Sequence, residues 1–271
     1  MSRRPAVALD GALAVVTGAG SGIGRATALA LAARGSRVVA VDLDGVAAEA
    51  VAADCGGPGY QADVADRAAM TALAAEVKAD HGVPDVLVNN AGVGMTGRFL
   101  DTAPEDWDWI VGINLGRVLH GCQVFGPGMV DRGRGHVVNL ASGLAYAPRA
   151  TEPAYVTTKS AVLALSQCLR ADWGPAGVGV SAICPGVIDT AIVSATRFRG
   201  REGTAARRAQ VQRLFSRGHA PELVARAVLD AVERDRPVVP VGVEARLGWA
   251  AHRVLPSRAV DRLARTTVGG V

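Results

Sequence analysis

Tyr155 and Lys159 stand four apart in the run Tyr-Val-Thr-Thr-Lys. On a helix that spacing puts both side chains on one face. A cation beside a phenol favours the phenolate and draws its pKa down from about 10. A phenol tuned in this way can give or take a proton at a carbinol oxygen. An inert surface pair has the same spacing, so the pair carries meaning only in company. A second group of residues supplies that company. Thr17-Gly18-Ala19-Gly20-Ser21-Gly22-Ile23-Gly24 lies between an apolar run and an Ala/Leu-rich run. Gly18, Gly22 and Gly24 let the backbone turn tightly and approach a pyrophosphate, and the helix start beyond them offers free N–H groups. A glycine-rich turn with no ligand is the alternative. Asp42 follows Gly24 by 18 residues, near the offset at which a carboxylate takes the ribose hydroxyls of a dinucleotide. It has a second reading as a helix cap, but Asp44 is better placed for that role.

These side chains need elements to hold them. Apolar runs at 12–17, 37–42, 85–89, 135–141 and 179–184 read as buried strands, with a third strand ending at 60–63 and a seventh at 237–241. Helical patterns at 25–34, 45–54, 67–81, 104–129 and 154–173 alternate with them. Continuously apolar strands alternating with helices imply a parallel sheet covered on both faces. The expected fold is α/β: one doubly wound Rossmann domain over 1–271 with a mostly parallel seven-stranded sheet. Its ligand belongs at the carboxyl ends of the strands. A substrate lid is expected at 188–218 and a helical tail at 244–265.

Composition narrows the function classes. Glycine is 33 of 271 residues, without a three-residue period, so collagen is excluded and many tight turns are expected. Charged residues are only 20%, which excludes wholesale disorder. Aromatics are 4%, too few for a base-stacking platform. Cys55, Cys122, Cys168 and Cys184 form no CxxC pair, so reduced thiols and a cytoplasmic setting are expected. The histidines show no metal-ligand spacing, and no metal is expected. The first ten residues have no apolar run typical of a leader. The longest uncharged stretch, 173–188, is shorter than the ~20 residues of a spanning helix and is broken by Pro175 and Pro185. Net charge is +4, but it is local: seven arginines between Arg197 and Arg217 stand against Glu202 alone. That distribution does not fit a nucleic-acid partner.

Further motifs fall in a telling order. Asn89-Asn90-Ala91-Gly92 follows the fourth strand, Asn114 lies in the long helix, and Ser142 follows the fifth strand. Tyr155 and Lys159 come 13 and 17 residues after Ser142, and Pro185-Gly186 follows the sixth strand. Alone, Ser142 reads as a turn residue, Asn114 as a helix-bending side chain and Pro185-Gly186 as an ordinary turn. Together with TGxxxGxG at 17–24 they resemble the short-chain dehydrogenase/reductase family, from about Leu13 to Thr190 and more loosely to Val241. The resemblance implies Tyr155 as general acid/base and Lys159 as the residue that tunes it and holds the nicotinamide ribose. It implies Ser142 on the substrate oxygen and Asn114 on a water of the proton relay. It also implies a cofactor site of Gly18, Ser21, Gly22, Ile23, Gly24, Asp42 and Leu43 at the loop. Asp63 and Val64 then face adenine, Asn90, Ala91 and Gly92 wall the adenosine side, and Pro185, Gly186, Val187, Ile188 and Thr190 carry the carboxamide.

The expected activity is NAD-dependent interconversion of a secondary alcohol and a ketone. NAD(H) is expected over NADP(H), because Ser21 and Leu43 supply no cation for a second phosphate and Arg25 and Arg37 are out of reach. Leu144, Ala145, Tyr146, Ala147, Val187 and Ile192 suggest a lipophilic, polyketide- or steroid-like substrate. The arginine-rich segment has three readings: a solvated face, a basic mouth for an acidic substrate, or attraction to an anionic membrane. Leu247, Ala251, Val254 and Leu255 share a helical face that suits docking on the body or on a sister subunit, with a membrane anchor as the other reading. Apolar faces on the long helix and on the Tyr155 helix suggest a homo-oligomer, a tetramer or dimer. Two other functions stay open: a non-catalytic dinucleotide-binding regulatory subunit, and a peripheral membrane-associated dehydrogenase.

Overall fold

Val-rich strands with no polar face must be covered twice, and the computed structural model, which describes residues 7–265, shows how. The strands are β1 (Leu13–Thr17), β2 (Arg37–Asp42), β3 (Gly59–Gln61), β4 (Val86–Asn89), β5 (Met95–Thr96), β6 (Gly135–Leu140), β7 (Val178–Pro185), β8 (Arg197–Phe198) and β9 (Val238–Val241). Seven form one parallel sheet in the order β3-β2-β1-β4-β6-β7-β9. The chain reverses its direction of travel across the sheet between β1 and β4, which leaves a crevice at their carboxyl ends. Register places Thr17 beside Asn89 and Asn89 beside Asn139. The expected seven-stranded doubly wound sheet is therefore present.

The helices are α1 (Gly22–Ala32), α2 (Gly45–Cys55), α3 (Arg67–His81), α4 (Pro104–Val111), α5 (Arg117–Arg132), α6 (Pro153–Trp173), α7 (Ala205–Phe215), α8 (Pro221–Arg234), α9 (Val243–Val254) and α10 (Ser257–Ala264). Val16, Val38 and Val88 pack toward α1 and α8, while Val15, Val41 and Leu87 pack toward α3, α5 and α6. Each of these six valines and leucines is wholly buried and contributes roughly 1.5–3 kcal/mol by leaving water. Asp44 caps α2, its Oδ1 accepting from Val46 N at 3.0 Å and Ala47 N at 3.1 Å. Asp66 caps α3 in the same way.

Two expectations, the long helix and the third strand, need correction. The helix at 104–129 is not continuous: a π-helical turn at Gly112–Gly116 separates α4 from α5 and carries Asn114. Such a turn marks a place where the regular ladder yields to a side-chain demand. The third strand stops at Gln61, and Asp63 instead closes a turn by accepting from Ala65 N at 2.9 Å. The segment at 188–218 is built of short elements, among them β8, which pairs with β5 in a separate two-stranded sheet. The apolar stripe on α9 is divided in its packing on the body. Leu247 and Val254 are 66% and 78% exposed, while Ala251 and Leu255 line a small groove against Tyr146 and Ala147. Residues 1–6 of the N-terminal stretch read above lie outside the described residues. No helix among the described residues is long and apolar enough to cross a membrane, and no cluster of three or more metal-ligating side chains occurs among them.

Candidate active site

Two glycines at the carboxyl end of β1 hold backbone conformations that a side chain resists: φ is +63° at Gly18 and +51° at Gly22. A Cβ on Gly18 would sit 2.9 Å from Ala91 Cα, and one on Gly24 would collide with the Gly18 carbonyl oxygen. The loop is braced from β4. Asn90 Nδ2 donates to the carbonyls of Thr17 and Gly18 at 3.1 and 3.0 Å, and Asn90 N donates to Thr17 Oγ1 at 3.1 Å. Asp42, at the end of β2, accepts from Gly20 N at 2.8 Å and from Asp44 N at 3.1 Å. The result is a backbone cradle, open above and ending in the first turn of α1. A pyrophosphate with an adenosine arm fits this donor set, because the cradle holds glycines where any Cβ would intrude.

Above the cradle lies a cavity of about 530 Å³. Its walls include Gly18, Ser21, Gly22, Ile23, Asp42 and Leu43 from the first two strand ends, and Asp63, Val64, Asn90, Ala91 and Gly92 from the next two. Ser142, Tyr155 and Lys159 enter from β6 and α6, and Pro185, Gly186, Val187, Ile188 and Thr190 from the loop after β7. Two expected members stand behind the wall. Gly24 packs against the Gly18 carbonyl and does not reach the cavity. Asn114, 1% exposed, is spent on the fold: its Oδ1 accepts from Val93 N at 2.9 Å, and its Nδ2 donates to Val93 O at 3.0 Å and Thr158 Oγ1 at 3.2 Å. The π-helical turn is what brings that amide to Val93.

At the reacting end, the Ser142 hydroxyl accepts from Leu144 N at 3.1 Å. Lys159 Nζ donates to Leu140 O at 2.9 Å and lies 5.9 Å from the centre of the Tyr155 ring. The electrostatics differ from the sequence expectation. Burial pushes the Tyr155 phenol up to about 12, hydrogen bonding with Ser142 works against this, and the charge of Glu152 adds to it. Burial likewise brings Lys159 down to about 8. Both groups lose water together and neither gains a counter-ion, so the cation does not win over desolvation here. Near neutral pH the phenol holds its proton.

Among the residues that the motifs do not reveal, Arg117 from α5, Arg149 and Glu152 also line the cavity. Burial raises the Glu152 carboxyl above its ordinary range, while Arg149 and Arg207 work to lower it. An arginine within the otherwise apolar run after Asn114 was the one available signal; Arg149 and Glu152 gave none. Tyr146 and Ala145 do not belong to the cavity wall. Tyr146 turns away and donates to Ala245 O at 2.8 Å. Three of the seven arginines of the basic segment are committed to carboxylates. Arg199 grips Asp106 with two hydrogen bonds of 2.8 and 2.7 Å, Arg197 adds a third of 3.2 Å, and Arg207 bonds to Glu202 at 2.6 Å.

Known proteins are similar to this chain in sequence and fold. The family model for short chain dehydrogenase matches residues 12–199. A probable oxidoreductase EphD of Mycobacterium tuberculosis is 45% identical over 273 residues, covering 96% of this chain and 46% of that protein. The chain thus spans about half the length of that relative. A D-threitol dehydrogenase of Mycolicibacterium smegmatis is 43% identical over 187 residues, covering 67% of this chain and 72% of the relative. Among solved structures, a short chain dehydrogenase/reductase from Burkholderia phymatum in complex with NAD superposes with a TM-score of 0.83 at 30% identity, covering 96% of this chain and 97% of that one. The matched segment is well over half of the chain, and the chain belongs to the short-chain dehydrogenase family of oxidoreductases.

Proposed function

We propose that the chain interconverts a secondary alcohol and a ketone with NAD(H), and that Tyr155 moves the hydroxyl proton. The observation that carries this reading is the convergence of Ser142, Tyr155 and Lys159 with the glycine cradle in one cavity. When bound, the dinucleotide supplies a hydride acceptor or donor, and its oxidised ring is cationic. Tyr155, protonated at rest, gives its proton to the carbonyl oxygen in reduction and takes it back in oxidation. Ser142 donates to the oxygen on which charge develops. Lys159 holds the nicotinamide ribose, and its ammonium favours the phenolate when Tyr155 gives up its proton. Asn114 acts through the fold, fixing Val93 and Thr158 around Lys159, so a water held by Asn114 is no longer needed to explain its place.

Preference for NAD over NADP follows from Asp42. A carboxylate about 4 Å from a 2′-phosphate costs between about 1 kcal/mol in water and about 4 kcal/mol at an effective dielectric of 20. Ser21 and Leu43 offer nothing to offset it, and Arg25 is engaged with Asp54 at 3.0 Å. For the substrate, Leu144, Val187, Ile192 and Leu214 give an apolar wall, which supports a lipophilic alcohol. Glu152 within the same wall, and relatives named for threitol and galactitol, support a second reading, a polyhydroxy substrate. A homo-oligomer belongs to the same proposal, supported by exposed Leu100, Phe99 and Val111 near α4; sedimentation as a monomer would contradict it. The activity itself is tested by a panel of secondary alcohols, polyols and ketones with NAD(H) and NADP(H), read at the nicotinamide absorbance. Turnover with NAD(H) is expected. Tight NADH binding with no turnover of any compound would instead point to a binding subunit.

A further inference from the structure

Arg117 begins α5, three residues beyond Asn114, and its side chain enters the cavity wall together with Asp42, Asp63, Val64 and Ala91. One turn further along, His120 meets the carbonyl of Val64 at 3.1 Å, which fixes this face of α5 against the turn after β3. The Nε of Arg117 is buried and has no hydrogen-bond partner. Its guanidinium forms no hydrogen bond or ion pair among the described residues. Several other arginines are spent on carboxylates, as Arg199 is on Asp106 and Arg170 on Asp235. A buried donor left unspent is a standing cost to the fold, and such groups call for an explanation. Burial lowers the pKa of this guanidinium, and the charges of Asp63 and Asp42 oppose that. The cation therefore stands in the field of both carboxylates without closing on either.

The chemistry of the missing partner follows from what is present. An ionised Asp63 can only accept, and Arg117 can only donate. An adenine edge carries an amino donor beside a ring-nitrogen acceptor, so these two side chains complement it. A planar guanidinium also packs well on a base.

We propose that Arg117 completes the adenosine end of the dinucleotide site, its guanidinium donating to a ring nitrogen of adenine while Asp63 accepts from the amino group. This rests on the nicotinamide-dinucleotide reading above. It makes Arg117 a contact for the part common to NAD and NADP, and not a receptor for a 2′-phosphate.

The test is equilibrium binding. NADH and NADPH are followed by their fluorescence, and AMP and nicotinamide mononucleotide by competition, for the wild type, Arg117→Met and Arg117→Lys. Methionine keeps the apolar stem and removes every donor. Arg117→Met is expected to weaken NADH, NADPH and AMP by about tenfold each, the size of one hydrogen bond to a charged group, and to leave nicotinamide mononucleotide unchanged. Arg117→Lys keeps the charge without Nε–H or the plane, and is expected to recover less than half of that loss. The proposal is overturned if Arg117→Met binds NADH and AMP within twofold of wild type, if only NADPH weakens, or if nicotinamide mononucleotide weakens as much as AMP. Full recovery by lysine also overturns it, because charge alone would then suffice. Should methionine fail to fold, the lysine variant carries the test on the same criteria. A wild type that binds no NADH refutes the dinucleotide reading itself. A wild type that binds NADH beside an unaffected Arg117→Met refutes only the role of Arg117.

Discussion

At the cradle end of the cavity the loop backbone is held by two side chains presented from neighbouring strand ends. Asn90 clamps the carbonyls of Thr17 and Gly18, Asp42 takes the amide of Gly20, and β1, β2 and β4 fix all three in register. At the lid end the shape is held by side-chain charge. Asp106 on α4 ties down Arg197 and Arg199, and Glu202 holds Arg207. Glu244 at the start of α9 accepts from Val187 N at 2.7 Å and meets His219 at 3.2 Å. These clamps sit at the ends of β2 and β4, where the sheet itself presents them close to the loop they hold. Charge latches depend on single residues far apart in the chain, so they can be altered one at a time without disturbing the sheet. On the proposed reading, the cofactor end is the platform and the substrate end the cover over it.

The largest effect that would test this division is expected at its centre, where Lys159 serves both ends. Lys159→Met should lower turnover by 10²–10⁴-fold, the usual worth of acid–base assistance, and weaken NADH. It should also shift the rising limb of the oxidation pH profile to higher pH, because phenolate loses its cation; an unmoved limb would mean that Lys159 does not tune Tyr155. Stability should move the other way. The folded pKa of Lys159, about 8, lies below its ordinary 10.5, so the charged form is disfavoured on folding. Wild-type stability therefore rises as pH climbs from about 8 to 10.5. Lys159→Met should be more stable than wild type at pH 7, by at most about 3 kcal/mol. That margin should shrink through the same window in urea unfolding.

Next in size is cofactor choice. Asp42→Ala with Leu43→Arg should erase or invert a preference for NAD of about 10²-fold in kcat/KM, roughly 2.7 kcal/mol. The pH profile set by Tyr155 should not change. Equal use of NADP by the wild type would show that Asp42 does not face the ribose. The smallest effect belongs to the cover. Asp106→Ala frees Arg197 and Arg199, each more than a third exposed, so solvent already screens much of the attraction. Substrate KM should rise about tenfold, with kcat and the NADH dissociation constant within twofold of wild type. A matching loss in NADH affinity would mean that the two ends are not separable.

The same contrast explains what could be read in advance. The cradle is encoded by neighbours in sequence: glycines where φ must be positive, an aspartate closing the next strand, an asparagine after the fourth. Tyr155 and Lys159 were legible because one helical turn brings them together. The pairing of Met95–Thr96 with Arg197–Phe198 was not, since two-residue strands leave no alternation to detect. Asp106 meets Arg199 across 93 residues of chain, a distance no local pattern spans. The break at Gly112–Gly116 was hidden because apolar spacing continues through it. The electrostatics of Tyr155 also escaped, because spacing reveals the cation but not the burial that outweighs it.

The central claim is that Tyr155 moves a proton and does not hold the dinucleotide. Tyr155→Phe removes one hydroxyl and keeps the ring, so its kcat and its NADH dissociation constant test the claim together. The account predicts a fall in kcat of at least 10²–10⁴-fold with NADH binding within about twofold of wild type. A variant that keeps more than about a tenth of wild-type kcat, or one that loses NADH binding in step with turnover, would contradict it.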